Sequence, residues 1–334
     1  MKDEKIPEMG KADATKLPSN RRDFLIRVAK MYYIEERSQQ EIAETFDISR
    51  SNVSKILKAC RELKLIEIRI SENSSMDFML SQEITGTFGL VKTVVVRSDQ
   101  NPEITRVQLG RAAAGLLEDL LRDGMYIGIA WGSSLLHMVR EFRPSRKLDV
   151  EVVQLLGGSG ARDLNTDGFE LARALAEKLS RKYSFLPAPL IVQNRSIKEL
   201  LMQEREVDLA LKKASKADLA VLGVGSNVVK VSALVRAGYI SAEEAEDLHR
   251  AGSVGDICGR HFDLNGNMAN FLFNERVIGI DPQQLKKIPT RIGVAAGALK
   301  AEAILGAVRG GWINILITDE EAALRLLSLK NCPG

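Results

Sequence analysis

Residues 39–58 read QQEIAETFDISRSNVSKILK, and their spacing predicts two short helices joined by a tight turn. Ser38 stands where an N-cap accepts backbone N–H bonds, and Glu41 follows at the capping-box spacing. Ile42, Ala43 and Phe46 share one face of the first helix. Asp47-Ile48 makes the turn, since Asp tolerates the left-handed backbone such a turn needs. Ser49 then caps a second helix whose inward positions are Val53, Ile56 and Leu57. Counted from Gln39, the small Ala43 falls at five, the turn at nine and apolar residues at fifteen and eighteen. That is the spacing of a helix-turn-helix whose second helix enters the DNA major groove by its N-terminal end.

The outward residues suit a duplex. Arg50 can fork onto guanine O6 and N7 and Asn52 onto an adenine edge, while Ser51, Ser54 and Lys55 reach bases or phosphates. Gln39, Gln40 and Ser49 put amides, a hydroxyl and helix-start N–H groups towards the phosphate backbone. Residues 50–69 hold six basic side chains, among them Lys58, Arg61, Lys64 and Arg69, against two acidic ones. The following LKLIEIRIS (63–71) alternates as a short strand does, which predicts a wing beside the helices. An ordinary helical hairpin with a solvated basic face is the alternative, and the agreement of capping, spacing, turn and charge favours the DNA-binding reading.

The charge balance localises that partner. The 334 residues carry a net +3, and residues 1–70 contain 15 Lys and Arg against 12 Asp and Glu, so the remainder is neutral. Residues 1–20 are polar and of mixed charge, which predicts a disordered arm without the apolar segment of a signal peptide. No run approaches the ~18–20 apolar residues that cross a bilayer, so no membrane partner is expected. Cys60, Cys258 and Cys332, like His137, His249 and His261, are scattered, so neither a metal site nor a disulfide framework is indicated and a reduced, cytoplasmic setting is expected.

Beyond an amphipathic connecting helix over 73–90, ended by Gly89, the period changes. Apolar, glycine-closed runs predict strands: TVVV (93–96), YIGIAWG (126–132), VEVVQLLGG (150–158), LAVLGVG (219–225), RIGVAAG (291–297) and INILITD (313–319). Helical stretches over 103–122, 168–182, 300–309 and 320–329 lie between them. The alternation predicts an α/β fold with a doubly wound, mostly parallel sheet over 91–330, behind a helix-turn-helix over 21–72. Ligands in such sheets bind beyond the carboxyl ends of the strands. The glycine-rich strand ends therefore nominate Gly132, Ser133 and Ser134, Gly157 and Gly158 of GGSG (157–160), Gly223 and Gly225, and Gly297, with Lys300 one turn into the next helix. Asp256 and Asp263 can accept hydrogen bonds from sugar hydroxyls. Each loop alone has an ordinary packing explanation, because strand-to-helix turns favour glycine. Residues 227–250 interrupt the rhythm, either as a lid or as an excursion packed on the body.

The run MYYIEERSQQEIAETFDISRSNVSKILKACRELKLIEIRI (31–70) resembles the head of the SorC-type sugar-responsive transcriptional regulators. IGIAWGSSL (127–135), GVGS (223–226), GDICGRHFDLNGN (255–267), VIGI (277–280) and VAAGALKAEAILGAVRGGWINILITDE (294–320) are similar to that family's effector domain in order and spacing. The resemblance covers nearly everything after residue 20. It implies a winged helix-turn-helix plus an α/β domain related to glucosamine-6-phosphate deaminase and ribose-5-phosphate isomerase. It also implies a homo-oligomer, dimer or tetramer, that binds double-stranded operator DNA and responds to a sugar or sugar phosphate. Gly132, Ser133 and Ser134 would then cradle a phosphate or hydroxyl, with Asp256, Asp263 and Lys300 in the same pocket. One position departs: some members carry a polar residue before the GG pair, where this chain has Leu156, which disfavours a bisphosphorylated ligand.

The rival reading is a sugar-phosphate isomerase or deaminase with an appended DNA-binding head. No histidine sits in a nucleophile or metal constellation, His261 reads as a pocket wall or core residue, and no cofactor signature stands out. A pocket that binds without turnover is the expectation.

Overall fold

The computed structural model describes residues 19–63, 65–66, 75–158 and 164–331. Most of the wing expected over 63–71 (all but 63, 65 and 66), Ser159-Gly160, and the amino-terminal arm apart from Ser19-Asn20 lie outside the described residues, as does Cys332. The chain divides into two compact units, Met1–Glu72 and Asn73–Gly334.

The first unit packs three helices, α1 (Ser19–Tyr33), α2 (Gln39–Phe46) and α3 (Arg50–Glu62). Leu25, Val28, Ile42, Ala43, Val53, Ile56, Leu57 and Cys60 form its core. The local chemistry sets each boundary. Ser38 Oγ accepts from Glu41 N–H at 3.2 Å while Glu41 Oε2 accepts from Ser38 N–H at 2.7 Å, closing the capping box. Asp47 ends α2 in the left-handed conformation (φ 52°, ψ 49°), and Ser49 Oγ accepts from Asn52 N–H at 3.2 Å to start α3. Phe24 meets Phe46 edge-to-face at 5.2 Å, and the Cys60 thiol donates to Leu25 O at 3.3 Å.

The second unit begins with α4 (Phe78–Phe88), which is not a connector: Leu80 and Ile84 belong to the body's core, and Ser81 Oγ accepts Val95 N–H at 2.9 Å. Gly89 ends it at φ 65°. There follow β1 (Lys92–Val96), α5 (Pro102–Leu120), β2 (Tyr126–Ile129), α6 (Ser133–Glu141), β3 (Glu151–Gln154), α7 (Gly168–Lys178), β4 (Lys182–Ser184), α8 (Arg195–Gln203), α9 (Arg205–Ala214) and β5 (Leu219–Gly223). Next come β6 (Gly225–Ser226), α10 (Ala233–Ala237), α11 (Ala242–Arg250), β7 (Gly255–Ile257), β8 (Arg260–Phe262), α12 (Pro282–Lys287), β9 (Thr290–Val294), α13 (Ala301–Arg309), β10 (Ile315–Asp319) and α14 (Glu320–Ser328).

Seven strands form one parallel sheet in the order β1-β10-β9-β5-β2-β3-β4. From β2 the chain winds outwards through β3 to β4; from β5 it winds the other way through β9 to β10. The direction reverses between β2 and β5, so the crevice of this sheet opens beyond their carboxyl ends. The strands are buried on both faces, as in β5 and β10, and so read as apolar runs. The sequence reading misses β4, whose Lys-Tyr-Ser is largely exposed. It also misses the antiparallel sheet β6-β7-β8, in which Cys258 (φ 51°) and Gly259 (φ 73°) form the two-residue turn between β7 and β8.

The excursion over 227–250 packs on the body: Leu234, Ile240 and Ala245 are buried in its core. Among the described residues no helix is long and apolar enough to cross a membrane.

The turn at Asp47 yields a test. A β-branched residue there costs ~1–2 kcal/mol in the left-handed region. Asp47→Val should therefore speed hydrogen exchange of the α3 amides roughly 5–30-fold, whereas Asp47→Gly should leave it nearly unchanged.

Candidate functional site

On α3 the buried Val53, Ile56, Leu57 and Cys60 fix one side of the helix against the core. The 100° step between residues then directs Arg50, Ser51, Ser54, Lys55 and Lys58 outwards, and all five are exposed. Asn52 is half-buried in the first turn. Among the described residues no carboxylate lies within ion-pair distance of Arg50 or Lys55, while Lys58 approaches Glu62 at 3.8 Å. Gln40 is exposed and donates to Glu44 Oε1 at 3.0 Å; Gln39 is half-buried at the helix start. Ser49 uses its oxygen as a cap, which leaves its hydroxyl proton able to donate. The head thus presents a helix N-terminus with two unpaired cations and short hydroxyls, the equipment for a major groove and its flanking phosphates.

The second constellation stands at the reversal of the sheet. Beyond β2, Gly132 (φ 115°, ψ 166°) is the N-cap of α6 and donates its N–H to Thr166 O at 3.0 Å. The first helical bond runs from Leu136 N–H to Gly132 O, so the N–H groups of Ser133, Ser134 and Leu135 project from the helix start together with two hydroxyls. Such an end favours an anion. Gly223 closes β5 directly against the Trp131 carbonyl. Lys300 Nζ crosses from the turn before α13 to donate to Val224 O at 2.8 Å.

Asp256, on β7, faces Gly225 across the β6–β7 ladder and lies so close that a Cβ at that position would overlap its carboxylate. Among the described residues no cation closes on Asp256 within 4 Å. Burial raises its carboxyl to about 6, against the opposing pulls of Lys300 and the Gly259 N–H. Burial likewise lowers the Lys300 ammonium to about 8; Asp256 raises it and Arg236 lowers it further. The two charges act on one another without touching.

Two residues that sequence reasoning passed over come from the excursion. Arg236 on α10 is close enough to Lys300 to share its field. Tyr239 sets its ring edge-to-face on Trp131 at 5.7 Å, and its buried hydroxyl has no partner among the described residues. Burial, and then the charge of Asp167, hold that hydroxyl protonated. The aromatic-basic run from Arg236 to Tyr239 was the available signal, but its placement depends on how the excursion folds back.

Three nominated residues are placed otherwise. Gly157 and Gly158 donate to Ile278 O (3.0 Å) and Ala188 O (2.8 Å), so their amides are committed to neighbouring chain rather than offered to a ligand. Leu156 is fully buried and bridges to Gly279. Asp263 staples its own turn: Oδ1 accepts from Asn265 and Asn267 N–H at 2.9 Å each, and Oδ2 accepts from Asn267 Nδ2 at 3.1 Å. Its carbonyl lies against Gly306, about one and a half helical turns beyond the start of α13. Gly297 stands beyond β9 with its N–H given to Asp319 Oδ1 at 2.8 Å. His261 is fully buried, its imidazole pushed down to about 3 by burial and therefore neutral at pH 7. Among the described residues no group of three or more His, Cys, Asp or Glu side chains could hold a metal ion.

Comparison with known proteins recognises both parts of the chain. A family model described as "Putative sugar-binding domain" matches residues 72–328, and one described as "Sigma-70, region 4" matches residues 27–64. The deoxyribonucleoside regulator of Bacillus subtilis (strain 168) is 32% identical over 305 residues, covering 91% of this chain and 96% of that protein. The crystal structure of the full-length sorbitol operon regulator SorC from Klebsiella pneumoniae superposes with a TM-score of 0.74 at 30% identity, over 91% of this chain and 98% of that one. The chain belongs to the SorC family of sugar-binding transcriptional regulators. Its helical head and its α/β body are the DNA-binding and sugar-binding parts of that family's architecture.

The strained charges of the crevice give this regulator a distinctive pH profile. Asp256 binds its proton more tightly when folded, so its contribution falls as pH rises from 3.8 to about 6. Lys300 binds its proton less tightly when folded, so its contribution rises from pH 8 towards 10.5. Between pH 6 and 8 both groups are ionised at a cost. Lys300→Met should raise the urea midpoint in that window and flatten its rise above pH 8. An unchanged profile would contradict the assigned burial.

Proposed function

We propose that the protein is a sequence-specific regulator of a carbohydrate-utilisation operon, controlled by a monophosphorylated sugar bound at the reversal of the sheet. The observation that carries this reading is the convergence of the α6 start at Ser133 and Ser134, the Lys300 ammonium and the Asp256 carboxylate around one set of strand ends. The helix start and Lys300 supply what a phosphate requires, and a carboxylate held off by Gly225 accepts from sugar hydroxyls. Leu156 offers no polar group where a second phosphate would sit, which supports one phosphate rather than two.

A single helix-turn-helix makes few base contacts, so a homo-oligomer presenting two or more heads supplies the specificity. An exposed apolar surface of the body supports self-association: Phe78 and Val91, 68% and 72% exposed, line a groove of about 720 Å³ beside the edge strand β1. The effector then works by binding the DNA-competent and incompetent arrangements with different affinity.

A second reading is turnover. Asp256 has a carboxyl raised into the working range of a general base, as a sugar-phosphate isomerase would need. The sensing reading is favoured because His261 is sealed in the core and the Lys300 ammonium is tied to a backbone carbonyl. Incubation with a panel of sugar phosphates separates them: thermal stabilisation without product supports the sensor, and any isomerised or deaminated product supports the enzyme.

For the head, Arg50→Ala should lose ~1–3 kcal/mol of discrimination between selected and scrambled duplexes in a mobility-shift competition, with the fold intact. For the body, Ser133→Ala and Lys300→Ala should weaken the sugar-phosphate response at least tenfold while DNA binding without effector persists. Retained preference in the first case, or an undiminished response in the second, overturns the corresponding assignment.

A further inference from the structure

The body holds a second polar cavity, of about 550 Å³, between α8, the 266–274 segment and α12. Three cations line it: Lys198, Arg260 and Lys286. Arg260 is only 6% exposed, and its Nη2 reaches the Gly279 and Val277 carbonyls at 3.2 and 3.4 Å. Lys198 Nζ has a carbonyl contact with Asn274 at 3.5 Å, and Lys286 Nζ sits 4.0 Å above the Trp312 ring. Two acids share the lining and favour the charge on Lys198, Asp281 also that on Arg260, but only from a distance: Glu275 faces Arg195 at 3.7 Å, while Asp281 Oδ1 caps α12 through Gln283 N–H at 2.8 Å. Among the described residues none of the three cations has a carboxylate within 4 Å. Arg260 is buried and Lys198 and Lys286 are half-buried, so among the described residues the cavity holds one more cation than acid and no close counter-charge, a balance that an anion from outside the chain would complete.

The cavity is distinct from the crevice at the sheet reversal. In the β7–β8 ladder Asp256 pairs with His261 and Ile257 with Arg260. Directly paired residues of an antiparallel ladder project from the same face and successive residues from opposite ones. Asp256 and Arg260 therefore leave the hairpin on opposite sides.

We propose that this cavity is a second ligand site of the body, which binds a small organic anion bearing a phosphate or carboxylate. The Arg260 fork at its base and the Lys198 ammonium receive the charged group. Met202, Met268 and Phe271 supply an apolar wall for the carbon skeleton. Burial disfavours the charge on both Lys198 and Arg260, the condition that a bound anion relieves.

The tryptophans make the test direct. The chain contains two, Trp131 at the sheet reversal and Trp312 in this cavity beneath Lys286. In the full-length Trp131→Phe variant all tryptophan emission comes from Trp312. Titration of that variant with inorganic phosphate and with 3-phosphoglycerate should give a saturable emission change as Lys286 leaves the ring. Adding Lys198→Met or, independently, the rim substitution Lys286→Gln should weaken the apparent affinity at least tenfold. Two substitutions keep the result readable should one of them disturb folding. Three outcomes overturn the proposal: no saturable change by emission or by phosphorus NMR line broadening with either probe, an affinity indifferent to both cavity substitutions, or a response abolished by Lys300→Met, which would assign the binding to the other crevice. A response to 3-phosphoglycerate alone supports an organic anion over free phosphate.

Discussion

Two opposite charges, Asp256 and Lys300, sit near one another at the reversal of the sheet without closing into a pair, and the surrounding architecture serves to hold them so. A buried ion pair repays desolvation only with close geometry and complete hydrogen bonding. Here the geometry is withheld. The β6–β7 ladder presses the carboxylate against Gly225, where any side chain would displace it, and the Val224 carbonyl holds the ammonium at 2.8 Å. The carboxylate comes from the middle of β7, the ammonium from the turn between β9 and α13, and the carbonyl from just beyond β5, segments far apart in sequence that only the fold brings together. The site is therefore a property of the topology, with each residue contributed by a local turn that packing has already fixed.

The head depends on its neighbours in sequence instead. Its helix boundaries are set within four residues by Ser38 with Glu41, by Asp47 in the left-handed region, and by Ser49 with Asn52. That is why it was legible from the residues alone: caps and a 3.6-residue apolar period are local signals, and α2 and α3 begin where those signals put them. The seven-stranded sheet was legible for a different reason, since parallel strands buried on both faces read as apolar runs. The strand Lys182–Ser184, exposed and three residues long, carries no such run. The small sheet β6-β7-β8 escaped because two- and three-residue strands have no period to detect.

The same distinction separates the candidate residues. GDICGRHFD contains two aspartates seven residues apart, and only the fold reveals that Asp256 faces the crevice while Asp263 staples a turn. GGSG was nominated with the other glycine-rich strand ends, yet Gly157 gives its amide to Ile278 O and Gly158 to Ala188 O. Arg236 and Tyr239 went unseen because their approach to Lys300 and Trp131 requires the 227–250 excursion to fold back, anchored by Leu234, Ile240 and Ala245. Residue type identified the chemistry available; long-range contacts decided which copy of it was used.

The same division bears on the proposed choice between sensing and turnover. An enzyme needs a mobile proton carrier at the reacting carbon, whereas here the only histidine near the hairpin is neutral and sealed, and the lysine is tethered to a carbonyl. What remains is a crevice whose two charges are not closed into a pair. A ligand that brings an anion to the α6 start and hydroxyls to Asp256 supplies the missing partners of both charges at once. The free energy released on binding is largest where the unliganded site was least satisfied, and only that difference can shift a conformational equilibrium. On the proposed function, the charges that burial disfavours between pH 6 and 8 would be the source of the response, and relieving them by substitution would gain stability at the expense of the signal.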